Sequence, residues 1–264
     1  MRGKKQKNSF DWNPDLYMRF NEERLQPSID LTARIKDLNP ANILDVGCGA
    51  GNSTQILRNK WPSAEVIGID KSPSMIEAAK KEYPEYDWRI QDICNDFYIS
   101  SFDLIFSNAT IQWVEDQRGL LQRLLKMVNP EGCIAFQLPV FWNMKLGEII
   151  KEVLASNRWN HLEARNSDKI YVYNNEYYYD ALVNICQIVE FWETTYMHIF
   201  QSHVMIFEMI KSTGLKPYYK LLSNPSEVKM FEEDIFKEIK LGFPLLSDGN
   251  VVLPFRRLFF ISTK

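Results

Sequence analysis

Two rhythms of apolar and polar residues divide this chain. Between residues 43 and 138, short apolar runs alternate with stretches whose apolar residues recur every three or four positions. A compact apolar run predicts a buried strand, and the longer spacing predicts an amphipathic helix. The runs at 43–46, 66–69, 88–90, 102–106 and 133–138 read as strands. The stretches at 53–60 and 118–127 read as helices. Another opens at Pro73 behind Ser72, since serine caps a helix start and proline favours its first position. Asn129, Pro130, Glu131 and Gly132 form a turn ahead of the fifth strand. Strands alternating with helices predict parallel β-α-β units, with helices on both faces of one sheet.

The flanks are patterned differently. Before the first strand, Tyr17, Phe20 and Arg24 share one helical face and Leu31, Ile35 and Leu38 another, with Pro27 separating the two helices. Beyond Pro139, the stretches 141–159, 177–185, 204–211 and 227–240 read as helical, and 160–175 as polar and irregular. A long strand at 188–199 and a last one at 257–262, after the turn at 247–250, complete the series. These patterns predict a single α/β domain over 1–264, with an N-terminal cap at 10–38 and helical stretches near 140–170 and 200–245 outside the alternating series. Ligands bind at the carboxyl edge of such a sheet.

Composition narrows the classes. Hydrophobic content of 45% and charged content of 25% are those of an ordinary globular protein. A net charge of −3 leaves no electrostatic footprint for nucleic acid or an anionic membrane. The basic start, Arg2 to Lys7, leads into no apolar core and does not read as a signal peptide. No run of 18 apolar residues offers a membrane span. Cys48, Cys94, Cys133 and Cys186 lie far apart, each beside a strand-like segment, and read as buried free thiols. The three histidines are not spaced to complete a metal site with them. A reducing, cytoplasmic setting is expected.

The candidate chemistry sits at 43–54, Ile-Leu-Asp-Val-Gly-Cys-Gly-Ala-Gly-Asn-Ser-Thr. An apolar strand runs into Gly47, Gly49 and Gly51 and then a helix start, so the backbone can turn sharply and approach a ligand closely. Asp70 ends the next strand. A phosphate-cradling P-loop needs a Lys that this loop lacks. A dinucleotide fingerprint needs a third Gly where Asn52 stands.

The pattern that remains, Asp-x-Gly-x-Gly-x-Gly from Asp45 to Gly51, resembles motif I of the class I S-adenosylmethionine-dependent methyltransferases. The resemblance implies S-adenosyl-L-methionine as cofactor and a seven-stranded, mostly parallel Rossmann-like sheet whose last strand runs antiparallel. It implies that the stretches near 140–170 and 200–245 are insertions forming a helical lid. It implies that Asp45, Gly47, Gly49 and Gly51 pass under the amino-acid part of the cofactor and that Asp70 holds its ribose hydroxyls. Met75, Asp92 and Ile93 join the cofactor set, with Asp92 toward the adenine, and Asn108 ends the fourth strand near the donor sulfur. Asp92 also reads as a solvent-facing loop residue, and Asn108 as a helix cap.

A wider set of segments resembles the trans-aconitate 2-methyltransferases. It comprises Asp11-Trp12-Asn13-Pro14-Asp15-Leu16-Tyr17 with Phe20, Glu23, Arg24 and Pro27, then Asn108-Ala109-Thr110-Ile111-Gln112-Trp113, and Gln137-Leu138-Pro139. It continues with the stretch from Trp192 to His198, Ser202-His203, Thr213-Gly214-Leu215-Lys216-Pro217 and Arg257-Leu258-Phe259. The chain departs from that family's pattern at Glu176, at Arg256 and across 156–175. The resemblance implies a carboxyl O-methyltransferase acting on a small polycarboxylate. A carboxylate is already ionised at neutral pH, so no general base is required and no residue is singled out as catalytic. Holding several carboxylates favours arginine and neutral donors. The candidates are Trp12, Tyr17, Arg24, Trp142, Tyr177, His198 and Arg257. Each has a plainer reading: surface or strand-end arginines, an edge histidine, an aromatic seal. Trp113 and Trp192 read as core, and His203 as a helix-end partner. Two alternatives stand beside this one, a malonyl-carrier-protein methyltransferase and a cofactor-binding protein without turnover. A small acceptor in a closed pocket fits a monomer.

Overall fold

A computed structural model describes residues 20–95, 101–166 and 169–264. The chain enters through α1 (Asn21–Arg34), then alternates β1 (Asn42–Val46), α2 (Asn52–Lys60), β2 (Glu65–Asp70), α3 (Pro73–Glu82) and β3 (Asp87–Ile90). There follow β4 (Phe102–Asn108), α4 (Gln117–Lys126) and β5 (Val128–Pro139). The helices α5 (Lys145–Ala155), α6 (Asn160–Arg165) and α7 (Asn175–Leu182) lead into β6 (Ile188–Phe200). Finally α8 (His203–Lys211), α9 (Lys216–Tyr219) and α10 (Pro225–Gly242) precede β7 (Val251–Thr263).

The strands form one seven-stranded sheet in the order β3-β2-β1-β4-β5-β7-β6. Neighbours from β3 to β5 run parallel, and β7 lies antiparallel between β5 and β6. The order reverses between β1 and β4, which opens a crevice at their carboxyl ends. Helices cover both faces, so the central strands are apolar on both sides rather than alternating. On one face Leu31 and Leu57 pack against Ile43, Phe106 and Phe259. On the other, Leu121 and Leu182 pack against Leu44, Ile105 and Phe260. A third cluster joins Ile149, Ile150, Ile206, Ile210, Phe231 and Ile235 of α5, α8 and α10 to Phe200 and Val251, where β6 ends and β7 begins. Those helices therefore roof the carboxyl edge of the sheet.

Several elements differ from the sequence expectation. Residues 21–34 form one helix with Pro27 inside it, not two helices parted there. The proline removes one backbone hydrogen bond, but Leu31 is fully buried against the sheet and that contact holds the helix together. The expected turn at 129–132 is absorbed into β5 as an irregularity, with Glu131 at φ 64 and a register shift against β4. Within the expected irregular stretch 160–175, α6 forms because Trp159 and Leu162 are buried, Trp159 edge-on to Phe231 at 5.1 Å. β7 starts at Val251 rather than 257, since β6 pairs with it along its whole length. Cys48, Cys133 and Cys186 are buried thiols, but Cys94 is exposed. Among the described residues no helix is long and apolar enough to cross a membrane, and no cluster of side chains gathers to hold a metal.

Candidate active site

Loop geometry at the end of β1 follows from three glycines in the left-handed region, Gly47 at φ 72, Gly49 at φ 56 and Gly51 at φ 95. Gly47 and Cys48 donate backbone hydrogen bonds to the Ile69 carbonyl, tying the loop to β2. A Cβ on Gly47 would lie 2.0 Å from Thr110 Oγ1, and one on Gly51 would lie 2.8 Å from the Trp88 ring. A Cβ on Gly49 would meet nothing within 4 Å, because that residue faces an open cleft. Two of the glycines thus serve packing, and one serves the space in front of the loop.

Asp45 stands behind that loop. It is fully buried, and its Oδ2 accepts from Ser53 Oγ and Thr54 Oγ1, both at 2.6 Å, so it anchors the start of α2 to β1. Burial pushes its carboxyl up to about 6; the two hydroxyls act in the opposite direction and the Asp70 charge adds to the rise. Asp70, at the tip of β2, accepts from Gly49 N at 3.0 Å on one oxygen and from Ser72 N at 2.8 Å on the other. Both contacts fix its carboxylate at the cleft wall. Asp92 accepts from Cys94 N at 2.9 Å, and Arg123 donates to the Ile93 carbonyl at 2.8 Å, which shapes the loop after β3.

The cleft holds about 710 Å³ of open space. Of the expected cofactor residues, Gly47, Gly49, Asp70, Met75, Asp92, Ile93 and Asn108 line it, joined by Lys71, Gln91 and Cys94; Asp45 and Gly51 do not. The lining fits S-adenosylmethionine in kind. Gly49 leaves room for close backbone approach, Asp70 presents a carboxylate to hydroxyl donors, and Met75 and Ile93 give an apolar slot for a flat base. At the inner end, buried Asn108 Oδ1 has no partner among the described residues.

A second cavity, with about 750 Å³ of space counting the part open to solvent, shares Asn108, Ala109 and Trp113 with the first. The structure brings Arg24 from α1, His198 from β6 and Arg257 from β7 to its wall, facing Phe141, Ile170, Met209 and Phe255. Arg257 is 5% exposed; its Nη1 donates to Gln137 Oε1 at 3.3 Å, and its guanidinium carbon lies 4.8 Å from the Phe255 ring centre. Arg24 Nη2 donates to Ser212 Oγ at 2.6 Å. Burial first, and then the Arg257 charge, lowers His198 to about 4, so its imidazole is neutral at physiological pH. Its Nε2 has no partner among the described residues.

Two of the expected acceptor-site residues line neither cavity. Trp142 donates to the Ile170 carbonyl at 2.7 Å and borders a separate hollow with Lys151 and Tyr218. Tyr177 stacks on Tyr173 at 4.1 Å, and its hydroxyl accepts from Arg118 N, joining α7 to α4. Trp12 and Tyr17 lie outside the described residues. His203 is bonded to the Phe243 carbonyl at 2.7 Å, a helix-end partner as expected. Trp113, expected in the core, instead stands between the two cavities. Glu23, Gln112 and Thr213 also line the second cavity and were not anticipated; Glu23, Gln112, Trp113 and Thr213 all lie in segments carrying the family resemblance, the one signal that could have found them.

Sheet order, glycine loop and acidic β2 tip together define a class I S-adenosylmethionine-dependent methyltransferase. Residues 39–203 match the family described as a methyltransferase domain. The trans-aconitate 2-methyltransferase of Escherichia coli is 34% identical over 254 residues, covering 96% of this chain and 98% of that protein. That of Shigella flexneri is likewise 34% identical over the same coverage. Among solved structures, Bacillus subtilis YcgJ superimposes with a TM-score of 0.59 at 13% identity, covering 90% of this chain and 98% of that one. Haemonchus contortus phosphoethanolamine N-methyltransferase 2, in complex with S-adenosyl-L-methionine, gives 0.59 at 15% identity, over 95% of this chain and 56% of that one. These two carry the fold alone. The chain belongs to the trans-aconitate 2-methyltransferase family.

Proposed function

We propose that this protein esterifies one carboxylate of a small polycarboxylic acid, trans-aconitate, at the expense of S-adenosylmethionine. The observation that carries this reading is the second cavity. It sets two arginines and a neutral histidine beside an apolar wall, and it meets the glycine-loop cleft at Asn108, Ala109 and Trp113. When bound, the cofactor supplies an electrophilic methyl group and leaves as a neutral thioether.

The chain's own work is positioning. Arg257 and Arg24 can each pair with a carboxylate, and charge-assisted bonds of this kind are the stronger ones. His198, held neutral, offers an N–H without a full charge to desolvate. The attacking carboxylate needs no proton removed, so the absence of a base in the proposed roles is chemically sufficient. Asn108, Ala109 and Trp113 set the distance between donor and acceptor, and the apolar wall excludes water. Such alignment can supply about 7–11 kcal/mol of the barrier reduction. The reading includes a monomer with a cap and lid on a single domain, and sedimentation at 31.1 kDa tests that. Unpaired thiols support a reducing, cytoplasmic setting.

The test is methyl transfer from labelled cofactor to trans-aconitate, cis-aconitate, citrate, isocitrate and a malonyl-carrier protein. Saturable turnover on trans-aconitate is expected. Arg257→Ala and Arg24→Ala each raise KM for it by about 10- to 100-fold, the worth of one charge-assisted contact. Turnover on the carrier protein alone, or none on any acid with cofactor still bound, overturns the acceptor assignment.

A further inference from the structure

The wall shared by the two cavities contains a strained residue. Ala109 adopts φ 55, the left-handed region that side-chain-bearing residues enter at a cost and that persists where the surroundings hold it. Two contacts hold it here. Its N–H donates to the Gln137 carbonyl at 2.8 Å, and its own carbonyl accepts from Gln112 Nε2 at 2.7 Å. Asn108 and Ala109 face both cavities, so the path of the chain through this residue sets where the shared wall stands.

Gln112 is 4% exposed, on the short 3-10 turn Ile111–Trp113. Its backbone carbonyl accepts from Tyr171 N at 2.7 Å, which fastens the turn to the segment after α6. Because its amide nitrogen must face the Ala109 carbonyl, its amide orientation is determined and Oε1 is turned away, buried and without a partner among the described residues. A glutamine whose bond is spent on a neighbouring strained backbone is placed to hold that backbone.

We propose that Gln112 is a positioning residue for methyl transfer, acting by locking Ala109 in its left-handed conformation and so fixing the partition between cofactor cleft and acceptor cavity. This rests on the methyltransferase reading given above, but not on trans-aconitate being the acceptor.

The experiment compares wild type, Gln112→Met, Ala109→Gly and the double variant. Methionine keeps the length and removes the amide, and glycine reaches positive φ without strain. Two readouts are taken, kcat and KM on trans-aconitate and calorimetric affinity for S-adenosylhomocysteine. Gln112→Met is expected to lower kcat about 10- to 100-fold, as small misplacements near a reacting centre do, and to weaken S-adenosylhomocysteine binding. Adding Ala109→Gly to it should restore both to within about threefold of Ala109→Gly alone, a non-additivity that marks two residues acting as one unit. Purely additive losses, or a rise in KM for the acceptor with kcat and cofactor affinity unchanged, would overturn the proposal, the latter because Gln112 would then be touching substrate through Oε1. Should wild type fail to methylate trans-aconitate, the acceptor assignment falls, and the binding cycle with S-adenosylhomocysteine still decides the role of Gln112.

Discussion

Gly47 and Gly49 share a backbone region but carry different constraints. A methyl group on Gly47 would collide with Thr110, whereas one on Gly49 would project into the open cleft. Gly47→Ala is therefore expected to lower the melting temperature sharply. Gly49→Ala should cost only the strain of its positive φ, about 1 kcal/mol, while greatly weakening S-adenosylhomocysteine binding. Thermal unfolding and titration on the two variants separate these effects. His198 makes a pH prediction. Its pKa falls from 6.5 to about 4 on folding. The unfolded chain therefore takes up that proton first as pH falls, and the stability present above 6.5 is lost between 6.5 and 4. Asp45, raised to about 6, works oppositely, since the folded chain binds its proton first and gains stability as pH falls below 6. Against wild type, His198→Gln should gain stability as the solution is taken from pH 7 to 4.5, read from urea midpoints. A constant difference between the two would discount the imidazole.

At the scale of elements, helix starts carry recognisable local chemistry. Ser72 accepts from Met75 N at 3.2 Å, Asp116 from Gly119 N at 2.8 Å and Asn224 from Glu227 N at 2.9 Å. In α10 the Glu227 carboxylate also reaches back past the cap, accepting from the N–H of Ser223, the residue before it. That helix buries Phe231, Ile235 and Ile239 in the roof and contributes nothing to the acceptor cavity wall. Asn224→Ala should thus cost about 1 kcal/mol of stability and leave KM for the acceptor unchanged, with denaturant unfolding and steady-state kinetics as the paired measurements. A rise in KM would mean that the roof transmits strain to the cavity. Local patterning located the central strands and helices within a residue or two, apart from the early start of β5 at Val128, because each buries one face or carries its own cap. It misplaced what depends on distant partners. Pro27 was expected to end a helix that packing against the sheet carries through it, and α6 forms because Trp159 and Phe231 meet.

For the molecule as a whole, the two cavities meet at one wall, and Trp113 belongs to both. Cofactor and acceptor should each change its emission. In the chain's set of seven tryptophans, Trp113→Phe should remove most of the ligand-induced fluorescence change from both titrations. A response that survives in that variant would place the sensing ring elsewhere. The lining of the glycine-loop cleft was largely legible in the sequence, since the glycine loop, Asp70 and Asp92 are consecutive strand ends of one repeating unit. The lining of the second cavity was less so, because Arg24, His198 and Arg257 come from the first described helix and the last two strands.

The sequence by itself determined the alternation of strands and helices, the loop after β1 and the chemistry of its cofactor, because burial periodicity, helix caps and glycine spacing act over a few residues. Only the tertiary structure decided that Asp45 and Gly51 stand behind the cleft. It alone turned Trp142 and Tyr177 away from the second cavity and brought Trp113 and the Gln112–Ala109 contact to the shared wall. Those outcomes depend on which face of each strand and helix meets its neighbour across the sheet, and that is set by packing among residues far apart in the chain.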